Sequence, residues 1–265
     1  MKLAALISGG KDSSYALYQA LKNGYEVIYL IAINPQREDS YMYHSANIDL
    51  TELFASACGI PLILKTSSGE KEKELKDLEE VLSKMLSKID GVVVGAIESE
   101  YQASRIKKIC QNLNLEMYAP LWHKDPESLL KAQIKVMDIR IVHVAAYGFD
   151  ESWLGRKIDL DTLKELKELN KKYKVHIAGE GGEYETLVVD AVFFKKRFEL
   201  IKVKKSWHIN RGTLKVLEAK LVDIYNAKFQ VGDSDSQLSD YAWYAEKLIA
   251  LGSLRLRSKQ RITLF

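Results

Sequence analysis

Six consecutive residues near the start of the chain have the types and spacing of a phosphate-binding turn: Ser8, Gly9, Gly10, Lys11, Asp12 and Ser13. They follow an apolar run, residues 3–7, that predicts a buried strand, and they precede a helical pattern. Helix N-termini attract anions, and paired glycines let the backbone approach a phosphate. Lys11 adds a mobile cation, and Asp12 is a candidate Mg²⁺ ligand. This nucleotide loop (residues 8–13) therefore predicts a phosphate site.

The nucleotide loop differs from two common phosphate-binding motifs. It lacks the four residues that a Walker A loop places before its Gly-Lys pair, and it lacks the third glycine of a dinucleotide fingerprint. It resembles instead the PP-loop of the N-type ATP pyrophosphatases, which split ATP into AMP and pyrophosphate while activating a carbonyl or carboxylate oxygen. The alternative is an ordinary strand-to-helix turn rich in glycine and serine.

The elements around the nucleotide loop predict where a nucleotide would lie. Strand patterns at residues 3–7, 26–33, 62–64, 91–96 and 116–118 alternate with helical patterns. This alternation predicts an α/β fold with a doubly wound, Rossmann-like parallel sheet, which binds ligands at the carboxyl ends of its strands. We therefore expect the triphosphate on the nucleotide loop. Adenine and ribose are expected between two other strand ends, at Ile33, Asn34, Gly95, Ala96 and Ile97.

Two charged or titratable side chains are further candidates for contact with ATP. Arg105 lies one helical turn after Tyr101, where it could reach a phosphate, and a surface salt bridge is an equal alternative. His44 follows a polar turn, which favours contact with a phosphate or a substrate carboxylate over a core position. Asn47 is a candidate N-cap for the helix that Gly59 is expected to end.

The second half of the sequence changes character near residues 120–122. Asp125 and Pro126 predict the start of a helix. Strand-like runs at 139–147, 187–194, 199–204 and 213–222 predict a second, smaller α/β domain with a mixed or antiparallel sheet. We expect an ATP-binding domain over residues 1–120, a substrate-binding domain over 121–222 and a tail over 223–265. The tail is compatible with a docking helix, with a dimer contact and hence a homodimer, or with a non-native extension.

The composition narrows the class of protein. The chain has 265 residues, 47% hydrophobic and 28% charged, which is typical of a soluble globular protein. No apolar run approaches the roughly 20 residues of a membrane span, and no signal peptide is evident, so we expect a cytoplasmic protein. A net charge of +3 is too small to indicate nucleic-acid binding. Cys58 and Cys110 stand alone in apolar patterns, which favours buried thiols.

A second segment concentrates carboxylates on a glycine-rich turn. This acidic loop (residues 179–186) consists of Gly179, Glu180, Gly181, Gly182, Glu183, Tyr184, Glu185 and Thr186. Neighbouring carboxylates repel one another unless a cation, an ammonium group or hydrogen-bond donors compensate their charge. A solvated acidic turn is the alternative.

The nucleotide loop and the acidic loop together resemble the diphthine–ammonia ligase family, and the resemblance covers residues 1–222. Other segments that agree with the family's pattern are Tyr43, His44, Asn47, residues 95–97, Tyr101, Arg105, residues 120–122 and residues 150–155. The resemblance implies ATP-dependent amidation of diphthine on a histidine of translation elongation factor 2, with ammonium as the nitrogen donor. It also implies ATP and Mg²⁺ as cofactors, an acyl-adenylate intermediate, and AMP and pyrophosphate as products.

The resemblance implies roles for individual residues. Lys11, Asp12 and Glu183 are the implied catalytic residues. The implied substrate-binding residues are Asp150, Trp153, Gly155, Glu180, Gly181, Gly182, Glu183, Tyr184 and Glu185. Two roles of the acidic loop stay open: it binds and deprotonates ammonium, or it holds the trimethylammonium group of diphthine, with Trp153 or Tyr184 as a cation–π face.

Two other functions fit part of the sequence. A tRNA-modifying PP-loop ligase or thiolase needs a broad basic surface or a pair of catalytic cysteines, and the balanced charge and scattered cysteines argue against it. A non-catalytic nucleotide-binding sensor explains the first half of the chain but leaves the acidic loop without a purpose.

Overall fold

The computed structural model describes residues 1–35, 47–68 and 71–223. The elements of the first half are β1 (Lys2–Leu6), α1 (Lys11–Lys22), β2 (Glu26–Pro35), α2 (Thr51–Cys58), β3 (Leu62–Ser67), α3 (Lys71–Ser83), β4 (Gly91–Val93), α4 (Glu100–Asn112) and β5 (Glu116–Tyr118). Those of the second half are α5 (Pro126–Ile134), β6 (Met137–Val144), α6 (Leu160–Tyr173), β7 (Tyr184–Ala191), β8 (Lys196–His208) and β9 (Arg211–Asp223). Short 3₁₀ helices cover Ile48–Leu50 and Glu151–Trp153. His44 and residues 224–265 lie outside the described residues.

The first sheet is parallel and has the strand order β3-β2-β1-β4-β5. The chain runs outward from β1 to β3 and then crosses back to β4, so the strand order switches between β1 and β4. Ligands of such sheets bind at this switch, outside the carboxyl ends of the strands. The predicted doubly wound, Rossmann-like sheet is therefore confirmed, and it brings the nucleotide loop after β1 next to the segment after β4.

The second sheet is antiparallel and has the strand order β7-β6-β9-β8. It is accompanied by α5 and α6, which pack against each other. The predicted start of α5 is confirmed, because the Asp125 carboxylate accepts a hydrogen bond from the backbone N–H of Ser128 at 2.8 Å. β7 begins at Tyr184, three residues earlier than predicted, so part of the acidic loop is strand.

One hydrophobic core joins the two sheets. It includes Leu17 of α1, Phe54 of α2 and Leu130 of α5, together with Val188 and Phe194 from the second half. The rings of Phe54 and Phe194 meet edge-on with their centres 5.0 Å apart. Because burial of such side chains stabilises both halves together, the second sheet is held against the first.

Asn47 does not cap the helix that follows it. Its side chain makes no capping hydrogen bond but reaches β9, where Nδ2 donates to the Leu214 carbonyl at 3.0 Å and Oδ1 accepts from the Val216 N–H at 2.8 Å. Asn47 therefore links the two halves of the chain instead of capping a helix. Its side-chain amide has one donor group and one acceptor, and the β9 backbone satisfies both, whereas a helix N–H would satisfy only the acceptor.

Candidate active site

The nucleotide loop is held in shape by its own serines. Gly9 has a positive φ of 82°, and the backbone N–H of Ser8 donates to Ser13 Oγ at 3.2 Å. The N–H of Gly10 donates to Ser8 Oγ at 3.3 Å. Gly10 is the N-cap of α1 and has no side chain with which to cap it. This turn therefore presents a helix N-terminus to a ligand, as the sequence predicts.

Gly95 is required by the close approach of β4 to the nucleotide loop. A Cβ atom at this position would lie 2.7 Å from the backbone nitrogen of Ser13 and 2.8 Å from the carbonyl carbon of Asp12. The side chains of Ile33, Ala96 and Ile97 are buried in the core, so these residues have only backbone atoms to offer a nucleotide. Their assignment as ATP ligands stays a prediction.

The second sheet completes the nucleotide loop. The backbone N–H of Lys11 donates to Thr186 Oγ1 at 3.0 Å, and the N–H of Val188 donates to the Gly9 carbonyl at 2.9 Å. Both partners belong to β7. The sequence places Thr186 in the acidic loop but gives no sign that it touches the nucleotide loop, because the two positions are 175 residues apart.

Lys11 is not the mobile cation that the sequence suggests. The residue is 3% exposed, and its Nζ donates to the Ala178 carbonyl and to Asp12 Oδ2, both at 2.6 Å. The same nitrogen lies 5.5 Å from the centre of the Tyr184 ring. Burial and these three contacts hold the ammonium group between the nucleotide loop and the acidic loop.

Asp12 is held by two donors from different parts of the chain. Lys11 Nζ contacts one carboxylate oxygen, and Gln133 Nε2 of α5 donates to the other at 2.8 Å. Gln133 is fully buried. In sequence it is an ordinary polar residue of an amphipathic helix, so no signal pointed to it.

Backbone donors compensate the charge of Glu183. Its Oε1 accepts from the N–H of His176 at 2.9 Å, and its Oε2 accepts from the N–H of Gly181 at 2.8 Å. The His176 Nδ1 in turn accepts from the N–H groups of Ala178 and Glu180 at 3.2 and 3.4 Å. Glu183 therefore closes the acidic loop on itself, and of the three kinds of compensation expected from the sequence, hydrogen-bond donors serve this carboxylate.

Glu180 is the acidic-loop carboxylate whose raised pKa best suits a general base. Burial raises the pKa of this carboxyl group, and the negative charge of Asp12 raises it further, against the smaller opposing effect of Lys11. Its Oε2 accepts from the backbone N–H of Glu98 at 3.3 Å. Because His176 Nδ1 is an acceptor, its ring proton lies on Nε2, 3.5 Å from Glu98 Oε2. The sequence reasoning missed both Glu98 and His176.

Glu185 lies within β7. Side chains alternate between the faces of a strand, so Glu185 and Thr186 lie on opposite faces. The Thr186 hydroxyl contacts the nucleotide loop, and the charges of Asp12 and Lys11 act on Glu180. Whether Glu185 contacts a substrate stays a prediction.

The site fits a magnesium nucleotide by the chemistry of its groups. In the described part of the chain, no group of three or more His, Cys, Asp or Glu residues is placed to hold a metal ion. Mg²⁺ at nucleotide sites is usually held by one or two carboxylates together with the phosphates, so Asp12 alone is a sufficient protein ligand. The N-terminus of α1, where the N-cap residue Gly10 has no side chain, and the close approach at Gly95 suit the phosphates.

Comparison with known proteins decides the family. The family model described as diphthamide synthase N-terminal domain matches residues 1–117, and the one described as diphthamide synthase C-terminal domain matches residues 125–222. The human protein named diphthine–ammonia ligase is 38% identical over 219 aligned positions, covering 74% of this chain and 82% of that protein. The chain belongs to the diphthine–ammonia ligase family.

The yeast relative agrees with this membership. The Saccharomyces cerevisiae diphthine–ammonia ligase is 36% identical and covers 82% of this chain, although the match spans only 37% of that longer protein. A solved structure from Methanocaldococcus jannaschii, titled a predicted subunit of tRNA methyltransferase, covers 74% of this chain and 99% of its own, with 19% identity and a TM-score of 0.42. Family membership confirms the prediction of an ATP-dependent ligase. No helix in the described residues is long and apolar enough to cross a membrane.

The rings expected to bind a cation are occupied by cations of this ligase itself. Trp153 is 5% exposed, with the Arg156 guanidinium 4.8 Å from its ring centre. Tyr184 is 3% exposed, its hydroxyl donates to the Ile177 carbonyl at 2.6 Å, and its ring faces Lys11. Both rings are thus buried against cations of the chain, and their expected cation–π role toward a trimethylammonium group stays a prediction.

The remaining residues of the family's pattern have local contacts. The Asp150 carboxylate accepts from the N–H of Ser152 at 2.8 Å, and Gly155, with φ of 83°, donates its N–H to the Ile141 carbonyl at 2.7 Å. The Arg105 guanidinium lies 3.5 Å above the centre of the Tyr101 ring, which bears out their shared helix face. Whether these three residues contact a substrate stays a prediction.

Proposed function

We propose that this ligase amidates the carboxylate of diphthine on translation elongation factor 2, using ammonium and ATP, through an acyl-adenylate. A cytoplasmic location follows, because the elongation factor works there. The observation that carries the proposal is that Lys11 of the nucleotide loop contacts two residues of the acidic loop, Thr186 through its backbone N–H and the Tyr184 ring through its Nζ, which gives nucleotide and acceptor chemistry one common site.

The first step joins the substrate carboxylate to the α-phosphorus of ATP and releases pyrophosphate. The N-terminus of α1 stabilises the negative charge that grows on the leaving phosphates. Lys11 adds a fixed positive charge from beneath the loop. Asp12 is the residue that would hold Mg²⁺, which, when bound, neutralises phosphate charge.

The second step joins ammonia to the acyl carbon and releases AMP. Ammonium must first lose a proton, because only neutral ammonia has a lone pair with which to attack. Glu180 is suited to accept this proton, since burial and the Asp12 charge raise the pKa of its carboxyl group. The carbon–nitrogen bond forms as the carbon–oxygen bond to AMP breaks. The attacking nitrogen then releases one further proton to solvent and keeps two hydrogens as the amide.

Of the two roles left open for the acidic loop, the proposal assigns Glu180 the deprotonation of ammonium rather than the binding of the trimethylammonium group. The charges of Asp12 and Lys11 both act on the pKa of the Glu180 carboxyl group, which associates this side chain with the nucleotide loop, where the acyl-adenylate would form. Glu183, whose carboxylate is taken up by two backbone donors, supports the loop in this scheme.

The test supplies purified ligase with ATP, Mg²⁺, ¹⁵N-ammonium and elongation factor that carries diphthine. AMP and pyrophosphate should form in step with incorporation of ¹⁵N into the factor. Asp12→Asn should abolish both, while Asp90→Asn, at the amino ends of β1 and β4 and so at the opposite end of these strands, should leave both unchanged. ADP and phosphate as the only products would overturn the proposal, and AMP release that requires tRNA would favour the tRNA-modifying alternative.

A further inference from the structure

We propose that Gln133 is a positioning residue for Asp12, so that a helix of the second half of the chain tunes the metal–nucleotide affinity of a loop in the first. The inference rests on the proposed role of Asp12 in binding Mg²⁺ with ATP. It assigns a function to a residue for which neither the sequence motifs nor the resemblance provides one.

The geometry leaves the Asp12 carboxylate little freedom. Gln133 Nε2 lies 2.8 Å from Asp12 Oδ1, and Lys11 Nζ lies 2.6 Å from Oδ2. A carboxylate only accepts hydrogen bonds, so the amide nitrogen of Gln133, and not its oxygen, must face it. The carboxylate therefore accepts one hydrogen bond at each oxygen, from Lys11 of its own helix α1 and from Gln133 of α5.

The burial of Gln133 shows that packing alone does not explain its identity. The residue is fully buried, and its Oε1 has no hydrogen-bond partner among the residues that the structure describes. A buried amide oxygen without a partner costs free energy of folding, and an apolar side chain of similar size would avoid that cost. The amide is therefore accounted for by the bond that it gives to Asp12.

The carboxylate orientation matters because Mg²⁺ demands near-ideal octahedral geometry. A carboxylate released on one side can rotate, and a rotated oxygen is misplaced for the metal. Loss of Gln133 should thus weaken binding of the magnesium complex of ATP without a comparable effect on ATP alone. Since Gln133 carries no charge, the effect separates orientation from electrostatics.

The test compares Gln133→Met with wild type and with Gln111→Met, an exposed glutamine of α4. Calorimetric titration should find magnesium-ATP affinity at least tenfold weaker in Gln133→Met, and equal affinities for ATP in EDTA. The melting temperature should change little, because loss of the bond to Asp12 is offset by removal of the partnerless Oε1. Gln111→Met should match wild type throughout.

Two results would overturn the inference. One is unchanged magnesium-ATP affinity in Gln133→Met. The other is an equal loss of affinity with and without the metal accompanied by a lower melting temperature, which marks a structural role. If the variant fails to fold, Gln133→Asn, whose shorter amide cannot reach Asp12, takes its place; the same selective loss of magnesium-ATP affinity is expected, with a lower melting temperature because a buried amide is left without a partner. The calorimetric titration measures nucleotide binding and does not require amidation. A failure of this inference can therefore be distinguished from a failure of the proposed function, which would show as absent ¹⁵N incorporation.

Discussion

Glu183→Gln separates a loop-closing role from a catalytic one. The Glu183 carboxylate accepts one backbone N–H at each oxygen, from His176 at 2.9 Å and from Gly181 at 2.8 Å. A glutamine side chain has one acceptor oxygen, so its NH₂ group would point at one of these N–H donors. The exchange keeps the size of the side chain but removes one bond and sets two donors against each other.

The magnitude follows from the bonds that are lost. A hydrogen bond to a charged group contributes about 1.5–3 kcal/mol, and we expect the closed form of the acidic loop to lose about that much. Global stability should change less, because the Gly181 N–H is exposed and water can replace its partner. The acidic loop begins directly after Ala178, whose carbonyl holds Lys11, so ATP affinity should fall together with the amidation rate.

The assay combines hydrogen exchange at His176 and Gly181, calorimetric titration with ATP, and amidation kinetics. Both amides should exchange faster in Glu183→Gln, and Glu116→Gln, on exposed β5, is the matched control. A strongly reduced amidation rate with unchanged exchange and unchanged ATP affinity would refute the loop-closing role. Glu183 would then act directly on the substrate, as the resemblance implies.

Two further predictions concern Glu180 and Gly95. Burial raises the folded-state pKa of Glu180, so its stabilising effect is present at acidic pH and is lost as pH rises through that pKa. Glu180→Gln should therefore raise the free energy of unfolding at neutral pH in urea titrations while slowing amidation by about 10²–10⁴-fold, and a loss of stability at neutral pH would contradict this. Gly95→Ala would set a Cβ 2.7 Å from Ser13 N, and it should weaken ATP binding and lower the free energy of unfolding by about 1–3 kcal/mol. Calorimetry and denaturant titration check both effects, and wild-type values would show that β4 can move away.

The sequence predicts the parts of this ligase that depend on local patterns. The alternation of strands and helices suffices for the parallel sheet, and the glycines after β1 suffice to locate a helix N-terminus at a strand end. The Asp125–Pro126 start of α5 is likewise a matter of a few neighbouring residues.

The contacts that complete the site were not predictable in this way. Gln133 meets Asp12 across 121 positions, and Thr186 meets Lys11 across 175, and neither distance leaves a periodic signal in the sequence. Burial of Lys11 was missed for the same reason, since Ala178 and Tyr184, which cover its ammonium group, belong to the other half of the chain. Only the combination of the two loops, given by the resemblance, indicated that they share a site.

The completion of the nucleotide loop by β7 has a consequence for the order of events during synthesis. The loop leaves the ribosome among the first residues, but Thr186 and Val188, which bond to Lys11 and Gly9, are added about two thirds of the chain later. Contacts between such distant positions form late, because the entropy cost of closing the long intervening segment must be offset first. A nascent chain that ends before β7 can therefore contain the whole parallel sheet and still lack the finished phosphate turn.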